Sequence, residues 1–258
     1  MAAILLLLIF GSVSLLSNPQ AEEQNHMVTD VSALKASARK VGDTIYFSPI
    51  MSVKSGSVAW ARLEEFDEPL HYHNHGELLY VLDGELEVMY VDGESNKMGP
   101  GQFVLASTEI VWAASGSADI LLFQTGEESD GPGTTWLGGP NETPDAVIPS
   151  QARPANIGVI HSFEAGLPEE SGDYTYLEIH ESLSTKLLLI DLQGELDWHS
   201  HEVENEVVYV VSGQGLLMLE DEVVILTPGD VVEIPTGLEH KATSLGGDGL
   251  QVIVFQTL

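Results

Sequence analysis

The chain of 258 residues carries 40 acidic and 9 basic side chains, a formal net charge of -31. So few Lys and Arg exclude nucleic acid and an anionic membrane surface as partners, because both are held by clustered cations. A hydrophobic content of 43% supports a packed core rather than disorder, the length allows two ordinary domains, and the absence of cysteine rules out disulfides, thiolate ligands and cysteine nucleophiles.

Residues 1–16 read MAAILLLLIFGSVSLL, an apolar run of signal-peptide length that is too short for a membrane span. A cleaved secretory signal within 1–21 is expected, with the mature protein exported and free of the membrane. No Lys or Arg precedes the run and no clean A-x-A site follows it, so an uncleaved membrane anchor stays open as the second reading. Val31–Lys40 has mild helical character. From Ile45 the chain turns to short β-rich runs: Ile45–Ile50, Ser57–Leu63, Leu78–Leu82, Leu86–Val91, Phe103–Ala106, Val111–Ala113 and Ile120–Gln124. Asp83-Gly84, Asp92-Gly93 and Pro100-Gly101 punctuate them as turns. Residues 126–156 hold five Pro and five Gly and read as a linker. Strands resume at Ile157–Ile160, Tyr174–Ile179, Lys186–Leu192, Val207–Val211, Leu216–Leu219, Glu222–Leu226, Val231–Ile234 and Leu250–Phe255.

The chain repeats itself. Glu77-Leu78-Leu79-Tyr80-Val81-Leu82-Asp83-Gly84 aligns without a gap to Glu206-Val207-Val208-Tyr209-Val210-Val211-Ser212-Gly213. Pro100-Gly101-Gln102 aligns to Pro228-Gly229-Asp230, and Phe123-Gln124-Thr125 to Phe255-Gln256-Thr257. Two all-β domains of one plan are expected, 31–125 and 157–258, joined by the linker.

Chemistry concentrates in the second copy. His199-x-His201 places two imidazoles on one side of a strand. Glu206 follows after a turn, and Pro235-x-Gly237-x-x-His240 brings a third imidazole from farther along. Three inward imidazoles and one carboxylate suit a first-row divalent metal. The first copy carries His71, His73 and Glu77 in the same order, but Trp112 stands where the last His should be. Indole offers an N–H and no free lone pair, so this site is incomplete, although His71, His73 and Glu77 can still form a three-ligand metal site with open positions. His75 shares the parity of His71 and His73, yet on a straight strand it would lie about 13 Å from His71. It joins the others only if the chain bends.

HSHEVENEVVYVVSG, from His199 to Gly213, and PGDVVEIPTGLEH, from Pro228 to His240, resemble the two characteristic motifs of the cupin family. The resemblance implies two tandem jelly-roll barrels, a bicupin. It implies one divalent transition metal in the C-terminal domain held by His199, His201, Glu206 and His240, with Mn, Fe, Ni, Co, Cu and Zn not distinguished. The expected function is that of a metal-dependent enzyme acting on a small oxygen-rich metabolite, by dioxygenase, decarboxylase, lyase or isomerase chemistry. A non-catalytic exported metal- or ligand-binding protein is the alternative. A small-molecule ligand is the expected partner, and homo-oligomers through exposed edge strands accord with the family. No general acid or base beyond the ligands stands out.

Overall fold

The computed structural model describes residues 27–53, 55–73, 75–90, 93–106, 110–125, 134–138, 169–182, 184–220 and 222–258. The expected signal segment, the strand expected at 157–160 and most of 126–156 lie outside these residues. No helix among the described residues is long and apolar enough to cross a membrane.

The chain opens with β1 (Met27–Asp30) and α1 (Val31–Ser37). Asp30 caps the helix by accepting the Ala33 N–H at 2.8 Å. A first unit then holds β2 (Arg39–Val41), β3 (Ile45–Val53), β4 (Gly56–Asp67), β5 (Leu70–His73), β6 (Gly76–Tyr90), β7 (Ser95–Met98), β8 (Phe103–Ala106), β9 (Trp112–Thr125) and β10 (Thr134–Gly138). A second unit holds β11 (Glu169–Ser171), β12 (Tyr174–Glu181), β13 (Thr185–Leu192), β14 (Glu195–His199), β15 (Asn205–Leu219), β16 (Glu222–Leu226), β17 (Asp230–Ile234) and β18 (His240–Thr257), and takes in β1. Both units are antiparallel and all-β, as expected for tandem barrels.

In the first sheet the order is β10-β5-β9-β4-β3-β2, with β6 paired to β7, β8 and β9. In the second it is β1-β17-β15-β18-β13-β12-β11, with β14 on β18 and β16 on β15. Two pairings cut across the expected domain limits. Thr134–Gly138, inside the stretch read as linker, pairs with β5, and Met27–Asp30 pairs with β17 of the second unit. Neither segment has a local signal for its distant partner.

Period-two alternation builds each core. In the first unit Ala59, Ala61 and Leu63 of β4 face Ala118, Ile120 and Leu122 of β9 in one buried cluster. In the second, Val208 and Val210 of β15 pack with Leu250, Val252 and Val254 of β18.

The turn expected at Asp83-Gly84, and the break left between Val207–Val211 and Leu216–Leu219 around Gly213, are bulges inside single long strands. β6 and β15 each run through the position unbroken, with a register shift beside it. Gly84 and Gly213 adopt φ of 86° and 79°, where side chains are strained. A Cβ at Gly213 would also collide with the Gly249 carbonyl oxygen, and one at Gly84 with that of Ser117. The same Asp-Gly signal serves a hairpin turn and a bulge, and here the bulge lets one strand curl around the barrel.

Glu233 of β17 lies opposite Val207 on one side and Met27 on the other, with Oε1 buried and unpartnered. Burial pushes its carboxyl up to about 7. The folded state therefore binds this proton more tightly than the unfolded chain, so stability falls as pH rises from about 4.5 towards about 7. Glu233→Gln should stabilise the protein by about 1–2 kcal/mol at pH 8, after discounting for partial solvent contact, and by nearly nothing at pH 4. Urea denaturation at the two pH values checks this, and equal effects at both would refute it.

Candidate metal centre

β14 ends at His199 and β18 begins at His240, and the two are register partners across the β14–β18 pairing. The chain leaves β14, places His201 in the following loop, and returns as β15 with Glu206 in its first turn of pleat. The Gly237 N–H donates to the His201 carbonyl at 2.8 Å, and Gly237 adopts a φ of 82°. That bond ties the two motifs together. His201 thus arrives from a pinned loop rather than from the continuous strand expected for it.

The donor nitrogens of His199, His201 and His240 lie within 4.8 Å of one another. Two donors bound at about 2.1 Å to one ion stand at most about 4.2 Å apart, so the rings need only a small inward rotation. Glu206 completes the set, with Oε2 3.0 Å from His201 Nε2 and Oε1 3.7 Å from His240 Nε2. All four residues expected to be ligands are therefore brought together.

The outer contacts orient these groups. His199 Nδ1 meets the Asp197 carbonyl at 2.8 Å, and His240 Nδ1 meets the Leu238 carbonyl at 3.0 Å. A carbonyl only accepts, so both Nδ1 atoms carry hydrogen and the neutral rings keep a lone pair at Nε2. Gln256 donates from Nε2 to Glu206 Oε2 at 2.8 Å. Gln256 stands opposite Glu206 in the β15–β18 register. Its place was visible in the repeated Phe-Gln-Thr, but its role was not.

Burial lowers the His240 imidazole below its ordinary value, against the attraction of Glu206. The hydrogen bond that His201 donates to Glu206 raises the imidazole of His201, despite desolvation. Burial alone would raise the Glu206 carboxyl, but His201, His240 and Gln256 together hold it below the usual range. Above all, His240 Nε2 is buried with no hydrogen-bond partner. An orphaned lone pair in an apolar barrel costs about 1–3 kcal/mol. The residues present fit a divalent ion: one carboxylate, three imidazoles, two of them with Nδ1 hydrogen-bonded to a carbonyl, and one nitrogen with nothing else to bind.

The first copy resolves differently. His71 and Trp112 are register partners, as His199 and His240 are in the second. His71 Nε2 lies 2.8 Å from His73 Nε2, and His73 Nε2 lies 3.2 Å from Glu77 Oε2. His71, His73 and Glu77 are thus together, but bonded to one another. The bend that His75 required does occur, between β5 and β6: His75 Nε2 sits 3.2 Å from Glu77 Oε1, and His73, His75 and Glu77 form a compact trio. Gln124, the counterpart of Gln256, donates to Glu77 Oε1 at 2.6 Å. Glu68, which no motif marks, is buried with Oε1 3.8 Å from His71 Nε2. Burial, then the charge of Glu77, raises its carboxyl well above the usual range. Burial lowers His71 to about 4. The Trp112 ring centroid is 4.9 Å from that of His71 and fills the position of His240.

Gln256 carries a prediction of its own. Gln256→Ala releases the Glu206 carboxylate and should weaken divalent-ion binding by about 10–100-fold without unfolding the barrel. Ion titration of the chelated variant measures it, and wild-type affinity would contradict it.

The family model of the Cupin domain matches residues 63–112 and 187–255, one stretch in each unit. Among solved structures, a Cupin 2 conserved barrel domain protein from Leptotrichia buccalis is similar at a TM-score of 0.65 and 10% identity, over 92% of this chain and 99% of that one. Oxalate decarboxylase from Bacillus subtilis is similar at 0.58 and 16% identity, over 92% and 77%. That of Lactobacillus farciminis, in a formate complex, follows at 0.57 and 13%, over 92% and 87%. A curated relative, an uncharacterised protein of Methanocaldococcus jannaschii, is 27% identical over 78 residues. That stretch is 30% of this chain and 61% of the relative, so less than two thirds of the relative's length is spanned. With both motifs, both barrels and the repeated family match in place, the chain belongs to the cupin superfamily as a two-domain member.

Proposed function

We propose that His199, His201, Glu206 and His240 hold one divalent transition metal, and that the second unit is a metal-dependent enzyme acting on a small oxygen-bearing metabolite. The observation that carries this is the buried, unpartnered Nε2 of His240 beside Glu206. Four protein ligands leave open positions on an ion that prefers six, which separates a catalytic metal from a closed structural one. Such an ion supplies Lewis-acid polarisation of a chelating oxygen or a lowered pKa for bound water. The chain's own residues do the rest. Asp197 and Leu238 aim the imidazoles, Gln256 aims the carboxylate, and the apolar barrel beneath excludes water. Similar folds include two oxalate decarboxylases, which supports a small carboxylic acid as the kind of molecule bound.

One observation favours the non-catalytic alternative. Besides Glu206 and His240, no carboxylate, imidazole or cationic side chain among the described residues lines the cavity next to the site, and the one other titratable group on its wall is the Tyr174 phenol. Incubation of the metal-loaded protein with a panel of hydroxy and oxo acids, followed by proton NMR, tests the reading. Product formation that stops with chelator supports the enzyme. Saturable binding without product across the panel would leave a metal-dependent binder instead.

A further inference from the structure

The second barrel encloses a cavity of about 50 Å³ that reaches Glu206 and His240. Its walls include Ile190, Leu196, Val208, Leu217, Val252 and Val254. The described residues of this unit contain three cations, and none lines the cavity. Lys186 is held by Glu178 at 2.9 Å and by Glu181 at 3.7 Å, Lys241 is held by Glu195 and Asp197, and Lys35 sits in α1.

Charge balance then limits the ligand. A divalent ion and the Glu206 carboxylate together leave one positive charge. A monoanionic chelator cancels it. A dianion would leave a net negative charge in an apolar barrel with no cation to pair it, which is costly. The overall charge of -31 adds to that repulsion. Size limits it too: an apolar cavity of about 150 Å³ takes benzene, so this one suits a few aliphatic carbons and not an aromatic ring.

From this cavity, and resting on the metal reading above, we infer that the ligand is a singly charged 2-hydroxy or 2-oxo monocarboxylate bearing a short alkyl group. It chelates with its oxygens, and its alkyl group enters the space between Val208, Leu217 and Val254. Dicarboxylates of the oxalate type are disfavoured.

The test loads the protein with Co²⁺ and follows its visible bands during titration with glycolate, 2-hydroxybutanoate and malate. All three share one chelating group. Malate differs from 2-hydroxybutanoate by a carboxylate in place of the terminal methyl. Affinity should rise about fourfold per added methylene, the factor for burying one such group. Malate should bind at least about tenfold more weakly than 2-hydroxybutanoate. Ala242→Leu, which fills the cavity, should flatten the series, and if that variant does not fold the wild-type series decides alone. A flat wild-type series, or malate binding as tightly as 2-hydroxybutanoate, with the cobalt bands intact, overturns this inference only. No cobalt bands in the wild type overturns the metal reading and this inference with it.

Discussion

Replacing His240 with alanine will remove ion-dependent stabilisation from the protein. Its Nε2 is buried beside Glu206 and bonds to nothing else. At an ion concentration 100 times the wild-type Kd, binding stabilises the fold by about 2.7 kcal/mol. Loss of an outer hydrogen bond to a ligand costs about 10–100-fold in affinity, so loss of the ligand itself costs at least about 100-fold. The variant would then gain only about 0.4 kcal/mol at the same concentration. Denaturation with and without ion reads the difference directly. An equal gain in variant and wild type would show that His240 holds no ion.

Trp112→His should do the reverse in the first unit. Trp112 occupies the register position of His240, with His71, His73 and Glu77 already gathered beside it. Exchanging indole for imidazole adds the missing lone pair. It also opens space in a core where Trp112 is 2% exposed, at a cost of about 2–4 kcal/mol. The folded variant is expected to take up about one more divalent ion per chain than the wild type. Trp112→Phe, which offers no ligand, should not. An unchanged ion count in a variant shown to be folded would mean that the mutual bonds of the first cluster, not the missing imidazole, keep metal out.

The candidate ligand set was legible because it is written in local spacing twice over. His199-x-His201, Glu206 and the Pro-Gly turn before His240 carry their own geometry, and the repeat at 77–84 and 206–213 makes the two barrels visible. What escaped depends on distant partners. Thr134–Gly138 is a strand only because β5 offers it an edge, and Met27–Asp30 only because β17 does. The long strands β6 and β15 looked like pairs of shorter ones, since Gly84 and Gly213 give the same signal in a bulge as in a turn, and only Leu250–Phe255 of β18 was legible. Glu68 hid because its burial beside His71 comes from the fold, not from a motif. Gln256 and Gln124 hid for a similar reason: only the strand register sets them against the Glu206 and Glu77 carboxylates.

The most direct test of the central claim is the ion content of the chain after chelation, exposure to each of Mn, Fe, Co, Ni, Cu and Zn, and removal of excess. About one tightly held ion per chain, lost in His240→Ala, is the result expected from the second-unit site. No ion retained from any of the six, or one ion retained equally by His240→Ala, would contradict it.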